Sequence, residues 1–197
     1  MPRISEMTDV DFNGVENPYV PPKVLRISPK LKLHQHWEEN VDPVTYEVIR
    51  HNLWQINEEH GATIQRLSGS PVAMYALDLN PSILTEDAEF VYFGPYMQYM
   101  SGVTDTQVKW TMEFRSDNPG INEGDMFIAN DPWVGAAHQQ DVMLLCPVFW
   151  EGELFCWVTN CLHQYDIGGI TPGSFCPSAE SVYEEGIMLP PLKIIEN

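Results

Sequence analysis

Val142-Met143-Leu144-Leu145-Cys146-Pro147-Val148-Phe149-Trp150-Glu151-Gly152-Glu153-Leu154-Phe155-Cys156-Trp157-Val158-Thr159-Asn160-Cys161-Leu162 is the stretch that decides the fold. It reads as two β-strands, Val142 to Trp150 and Leu154 to Leu162, joined by a tight turn at Glu151-Gly152. The run Met143-Leu144-Leu145 is continuous rather than alternating, which suggests strands covered on both faces. One short pattern stands at both open ends of this hairpin. His138-Gln139-Gln140-Asp141 leads into the first strand, and His163-Gln164-Tyr165-Asp166 follows the second. A hairpin of this length can bring both His-x-x-Asp turns to one end of a sheet. Glycines bound each turn, Gly135 before the first and Gly168-Gly169 after the second.

Imidazole nitrogen with carboxylate oxygen is the ligand set of a divalent Mn, Fe or Zn site. In a turn, residues i and i+3 can converge on one ion. His138, Asp141 and His163 then supply three ligands and leave positions for water or substrate. Carboxylate with imidazole and no thiolate favours Mn or Fe over a structural zinc. Asp166 is expected to accept a ring N–H from a ligand histidine, or to act as a general base, rather than to be a fourth ligand. The plainer alternative is two turns whose His and Asp only hydrogen-bond loop backbone. Asp131, between Asn130 and Pro132, is expected to shape its turn. His34 and His36 in Leu33-His34-Gln35-His36-Trp37 have the strand spacing of ligands, but read more simply as a surface or packing feature. His51 and His60 are nine residues apart and do not share a face at ligand spacing.

Upstream of the hairpin, Asp42 can cap a helix, Pro43 suits its first position, and Gly69 with Pro71 stops it, which predicts a helix over 42–68. Its apolar positions follow a 3.6-residue period only in part. Residues 1–41 carry Pro2, Pro18, Pro21, Pro22 and Pro29 without a sustained period and read as an extended arm wrapping the rest of the protein or a partner subunit. Val72 to Leu77 and Glu89 to Phe93 are predicted strands with a turn at Asn80-Pro81 between them, Val103 to Phe114 a helix, and Asp125 to Asn130 a strand. The stretch Gly94 to Gly102 is rich in Tyr and Met, a composition suited to a pocket wall or to core packing. The expected class is α+β: an N-terminal extended arm (1–41), then a long helix and a mixed β-sheet whose loops carry a metal site (42–197).

The 197 residues, 44% of them hydrophobic, suffice for a sizeable core. A net charge of −18 repels phosphate backbones and anionic lipid, so neither nucleic acid nor a membrane surface is an expected partner. The longest apolar stretch, Val142 to Trp150, is about half of the ~20 residues a spanning helix needs. Met1-Pro2-Arg3-Ile4-Ser5-Glu6 lacks the apolar run of a signal peptide, so a cytoplasmic location with reduced cysteines is expected. Cys146, Cys156, Cys161 and Cys176 show no C-x-x-C spacing, and no phosphate loop, G-x-G-x-x-G or G-x-S-x-G is present.

The ordered series of motifs resembles the hydantoinase B family. The residues that carry the resemblance are Asp42-Pro43-Val44-Thr45-Tyr46-Glu47-Val48-Ile49-Arg50, Glu123-Gly124-Asp125-Met126-Phe127-Ile128-Ala129-Asn130-Asp131-Pro132, His138-x-x-Asp141, His163-x-x-Asp166-Ile167-Gly168-Gly169, Pro172-Gly173-Ser174 and Glu185-Gly186-Ile187 with Pro190-Pro191. Within it, the arm and Tyr92-Phe93-Gly94-Pro95-Tyr96-Met97 are most similar to the acetone carboxylase branch, at its α subunit. The resemblance implies ATP-dependent carboxylation of acetone with bicarbonate to acetoacetate, by a complex of α, β and γ subunits. It implies that ATP is bound by the β subunit and that Mn2+ sits in the α subunit, on His138, Asp141 and His163. The alternatives are an ATP-dependent cyclic amide hydrolase subunit of the hydantoinase or 5-oxoprolinase kind, and a non-catalytic assembly module. Family members usually show Gly-Gly-Thr-His before the first ligand, where this chain has Gly135-Ala136-Ala137-His138. Family α subunits are several times longer, so the resemblance further implies an N-terminal portion of a longer subunit, inactive alone.

Overall fold

A computed structural model of the chain describes residues 17–37 and 40–197. Its centre is the expected hairpin, β4 (Asp141–Trp150) and β5 (Glu153–His163). Glu151 and Gly152 both take positive φ, 51° and 83°. That is the two-residue turn whose backbone twist matches the flanking strands. From Trp150 opposite Glu153, the register runs through one irregularity at Val148/Phe149 to Asp141 opposite His163. Around the hairpin lie β1 (Leu79–Thr85), β2 (Phe90–Phe93), β3 (Met126–Ala129) and β6 (Leu192–Ile195), in the sheet order β2-β1-β5-β4-β3-β6. Every pairing between these strands is antiparallel, and the parallel contact is an isolated bridge from Leu33 to Leu154.

The sheet buries one face. Met143 and Leu145 of β4, Trp157 and Cys161 of β5, Leu84 of β1 and Phe127 of β3 form one apolar cluster with Val108 and Met112 of the helix Thr104–Arg115. Truncating one of these large side chains, as in Leu145→Ala, costs about 2–5 kcal/mol. The apolar run Met143-Leu144-Leu145 is covered unevenly: Met143 and Leu145 are fully buried, Leu144 only half. It is β1, buried at six of its seven positions, that is covered on both sides.

Helix α1 (Pro43–Leu67) starts where expected, with the Asp42 carboxylate accepting from the amides of Val44 and Thr45 at 3.0 and 3.1 Å. Its buried residues are Asn57 and Gly61, while Val44 and Leu67 are 72% and 79% exposed. The helix meets β1 through small and polar groups instead of an apolar stripe. The Asn57 amide donates to the Pro81 carbonyl at 3.4 Å, and a Cβ on Gly61 would stand 2.3 Å from the Tyr96 ring.

Two predicted elements differ, and two further ones were not predicted. Val72 to Leu77 is not a strand but lies in α2 (Pro71–Ala76), with Pro71 at its first position and Leu77 leaving it at φ 57°. Asn80-Pro81 is not a turn but the middle of β1, where the Pro81 carbonyl accepts from Gly94 N at 2.9 Å. β6, which the sequence reading left out, follows Pro190-Pro191 and pairs along β3. A short helix α3 (Gln98–Ser101) precedes α4 (Thr104–Arg115).

Residues 17–37 of the arm lie against the body of the chain, and its residues 1–16 fall outside the described ones. The Tyr19 hydroxyl donates to Glu113 at 2.7 Å, Ser28 N donates to the Ser116 hydroxyl at 2.9 Å, and Leu31 joins the core. The arm then runs beside β5, with His34 N donating to the Leu154 carbonyl and Leu154 N to that of Lys32. No described helix is long and apolar enough to cross a membrane. The four cysteines form no disulfide with one another.

Candidate metal centre

The β4–β5 register places Asp141 and His163 side by side at the open end of the hairpin, and the turn before β4 adds His138. The ligand atoms of His138, Asp141 and His163 all lie within 4.8 Å of one another. His163 Nδ1 is 3.3 Å from Asp141 Oδ1, and His138 Nε2 is 3.4 Å from Asp141 Oδ2. Two atoms bound about 2.1 Å from one ion stand roughly 3.0–3.4 Å apart, so these edges suit a shared cation. Asp141 and His163 are buried, and His138 is a third exposed. The set is thus closed on one side and open on the other.

The donor chemistry also fits. Asp141 is fully buried, and its Oδ2 accepts no hydrogen bond from the described residues. A buried carboxylate oxygen without a donor is costly unless a cation satisfies it. His163 is held from behind: its Nε2 meets the Ser174 hydroxyl. With Nε2–H donating to Ser174, Nδ1 turns its lone pair towards Asp141, the orientation a ligand imidazole needs.

Two further residues close on the set. Asp78, just before β1, stands with Oδ2 3.7 Å from His163 Nδ1, and its backbone carbonyl accepts from His163 N at 3.1 Å. Burial pushes its carboxyl up, His163 pulls the other way, and the charge of Asp141 adds to the rise. The Tyr99 phenol is raised well above its ordinary value, first by burial and then by the charges of Asp141 and Asp78. Tyr99 therefore stays a neutral O–H donor. It also lines a cavity of about 360 Å³ with Phe90, Phe93, Gln98 and Gly102. Its neighbours Met97 and Met100 pack in the core, so the Tyr- and Met-rich stretch serves both of its predicted roles. Tyr99 and Asp78 were not picked out as site residues in the sequence, because neither carries a local spacing to the His-x-x-Asp turns.

The turn that presents His138 is built by Asn130 and Asp131. Asp131 accepts from Trp133 N at 2.8 Å, the turn-shaping role expected of it, and burial pushes its carboxyl up. The Asn130 amide donates at 2.7 Å to the carbonyls of both Gln139 and Ile187, which ties the His138 turn to the C-terminal segment. Gly135, at φ 119°, lets the chain pass Val103, whose carbonyl oxygen would lie 3.0 Å from an added Cβ.

Asp166 lies outside the three-residue cluster. Its two oxygens accept from Gly168 N at 2.8 Å and Gly173 N at 3.0 Å, and these bonds hold its carboxyl below the usual range. It organises the loop that carries Ser174. His163 turns its ring nitrogens to Asp141 and Ser174 rather than to Asp166.

Comparison with known proteins gives four informative matches. The family model described as hydantoinase B/oxoprolinase matches residues 42–197. Acetophenone carboxylase delta subunit of Aromatoleum aromaticum is 36% identical over 158 residues, 80% of this chain and 22% of that protein. 5-Oxoprolinase 1 of Arabidopsis thaliana is 33% identical over 159 residues, 80% of this chain and 12% of that protein. Among solved structures, nucleotide-free acetone carboxylase matches with a TM-score of 0.74 at 24% identity, over 78% of this chain and 20% of that one, which is a likeness of fold. The chain thus spans less than a third of the length of each of these relatives.

Proposed function

Because this chain belongs to the hydantoinase B/oxoprolinase family, we propose that it is the metal-holding portion of the α subunit of an ATP-dependent ketone carboxylase that converts acetone and bicarbonate to acetoacetate. The observation that carries the proposal is the buried Asp141 carboxylate, flanked by two imidazoles with its Oδ2 left without a donor. The 36% identity with a ketone carboxylase subunit supports this substrate class.

In this reading His138, Asp141 and His163 hold a divalent ion, Mn2+ by their nitrogen and oxygen donors. Such an ion supplies Lewis-acid stabilisation of negative charge developing on a substrate oxygen. The chain's own residues do the rest. Ser174 fixes the His163 ring, and Asp166 fixes the loop that carries Ser174. Tyr99, neutral and half-exposed, donates its O–H to a substrate oxygen, and Phe90 and Phe93 beside it offer apolar surface to the methyl groups of a small ketone. ATP is bound by a β subunit, and a γ subunit completes the hetero-oligomer.

A second reading, an ATP-dependent cyclic amide hydrolase, is favoured by the 33% identity with a 5-oxoprolinase. There the same site would activate water. The experiment assays the assembled complex with acetone plus bicarbonate, and in parallel with hydantoin and 5-oxoproline. ATP turnover dependent on acetone and abolished by His138→Ala supports the carboxylase. Turnover dependent on a cyclic amide replaces it with the hydrolase.

A further inference from the structure

A second cluster of ligating side chains sits at the other end of the same hairpin. We propose that His34 and His36 of the arm and Glu153 at the start of β5 form a binding site for a zinc-class divalent ion that clips the arm to the sheet.

The geometry comes from backbone pairing. His34 N donates to the Leu154 carbonyl at 2.9 Å, Leu154 N donates to the Lys32 carbonyl at 2.8 Å, and Leu33 bridges Leu154. In extended backbone, residues two apart share a face, so His34 and His36 both look towards the residue beside Leu154. That residue is Glu153. Its Oε2 lies 3.2 Å from His34 Nδ1 and 3.8 Å from His36 Nε2. These two edges bracket the separation of about 3.4 Å expected of ligands 2.1 Å from a tetrahedral ion, but the two imidazole nitrogens do not themselves converge as the triad's ligands do, so His36 must turn inward to complete the set. The two imidazole rings stand edge to face with centroids 5.3 Å apart, and the His34 ring is backed at 5.5 Å by Phe155. His34 is therefore held in place, whereas His36, 79% exposed, is free to turn in.

Two nitrogens and one carboxylate oxygen, with a fourth position left for water, suit zinc, nickel or copper(II) better than magnesium or calcium. His34 and His36 precede residue 42, where the family match begins, so the site does not follow from family membership. It is also separate from the triad: Glu153 and Asp141 lie at opposite ends of the β4–β5 ladder. An ion bound there would join the arm to the hairpin turn, adding to two backbone hydrogen bonds, these imidazole–carboxylate pairs, the His34–Phe155 ring contact and the packing of Leu31 with Leu154.

The test follows the ring nitrogens of the six histidines by NMR as ZnCl2 is added to the full chain. The expected result is that the His34 and His36 signals move together over one concentration range, whatever His138 and His163 do. Glu153→Gln should weaken that response by at least about tenfold, because it removes the charged ligand. His36→Ala, at an exposed position, should abolish the His34 response and leave the backbone spectrum unchanged. Signals of His34 and His36 that stay still, move over unrelated ranges, or respond equally in Glu153→Gln would overturn the proposal.

Discussion

Asp141 and His163 are a cross-strand pair, opposite each other in the β4–β5 register with His163 Nδ1 3.3 Å from Asp141 Oδ1. Two of the three candidate ligands are thus delivered by hydrogen bonding of one hairpin, and the third by the turn that leads into it. The rigidity of the site is the rigidity of a sheet, which is where precise ligand geometry is most easily held.

If the triad holds metal, chelation lowers stability through mass action. An ion present at 100 times its dissociation constant contributes about 2.7 kcal/mol, or a melting shift of roughly 5–10 °C for a chain this size. Thermal denaturation with and without a strong chelator measures this. His138→Ala should remove most of the chelator effect. A chelator shift of the same size in His138→Ala would refute the ligand assignment.

Asp141→Asn separates metal binding from folding. The change keeps the shape and removes a buried charge. Metal content should fall at least about tenfold, while the melting temperature measured in chelator should hold or rise, because an isolated buried carboxylate is itself costly. A fall in the chelated melting temperature would mean that Asp141 is held by the protein alone.

Tyr99→Phe should leave metal content unchanged and lower turnover of the assembled complex by roughly 10²-fold, the usual scale for loss of one proton donor. Since the Tyr99 phenol is raised above its ordinary value, it stays protonated across the neutral range. The variant should therefore keep the pH profile of the parent below about pH 9. Unchanged turnover would place Tyr99 outside the chemistry.

Asp166 gives the loop of Gly168 and Gly173 a pH dependence with a definite sign. Its folded value lies below the ordinary one because it accepts the two amides. Its contribution is present above the unfolded value of about 3.9 and is lost as pH falls through the folded value. Amide hydrogen exchange at Gly168 and Gly173 should quicken as pH drops below about 4, after correction for the intrinsic rate. Asp166→Asn should quicken it at neutral pH as well and flatten the pH dependence. Equal protection in both proteins would remove Asp166 from the loop's support.

Gly135→Ala should cost about 1–3 kcal/mol, since the position has positive φ and a Cβ there meets the Val103 carbonyl. Three residues ahead of His138, it should also weaken metal binding measurably. Denaturation midpoints and metal titration on the same samples read both effects. Loss of stability without any loss of metal would show that the His138 turn relaxes independently.

The parts of this fold that were legible in the sequence are those whose signals are local. Asp42-Pro43 marks the start of α1, Glu151-Gly152 marks the hairpin turn, and the two His-x-x-Asp patterns mark its open ends. What local pattern could not reveal was the covering of β1. Pro81 reads as a turn because proline is rare inside strands, yet its carbonyl still accepts from Gly94 and it needs no donor there. The run Val72 to Leu77 reads as a strand by composition, and Pro71, which reads as a stop for the preceding helix, is also the first residue of the next one. Likewise, the imidazole and carboxylate of the triad could be nominated from spacing. Asp78, Tyr99 and Ser174 could not, since they reach His163 and Asp141 only through the sheet and the 166–174 loop.

The irregularity at Val148/Phe149 and the two-residue turn beyond it have a consequence for what lengths of chain the protein tolerates. Side chains along a strand alternate between faces, so one residue added or removed there would set Asp141 beside a different partner and turn one ligand of the pair to the wrong side. A surface loop would absorb such a change. Here a single-codon deletion between Val148 and Glu153, far along the ladder from His163, would work as a vernier slipped by one notch: Met143 and Leu145 would turn with Asp141, so the packing of the sheet and the grip on an ion would be lost together.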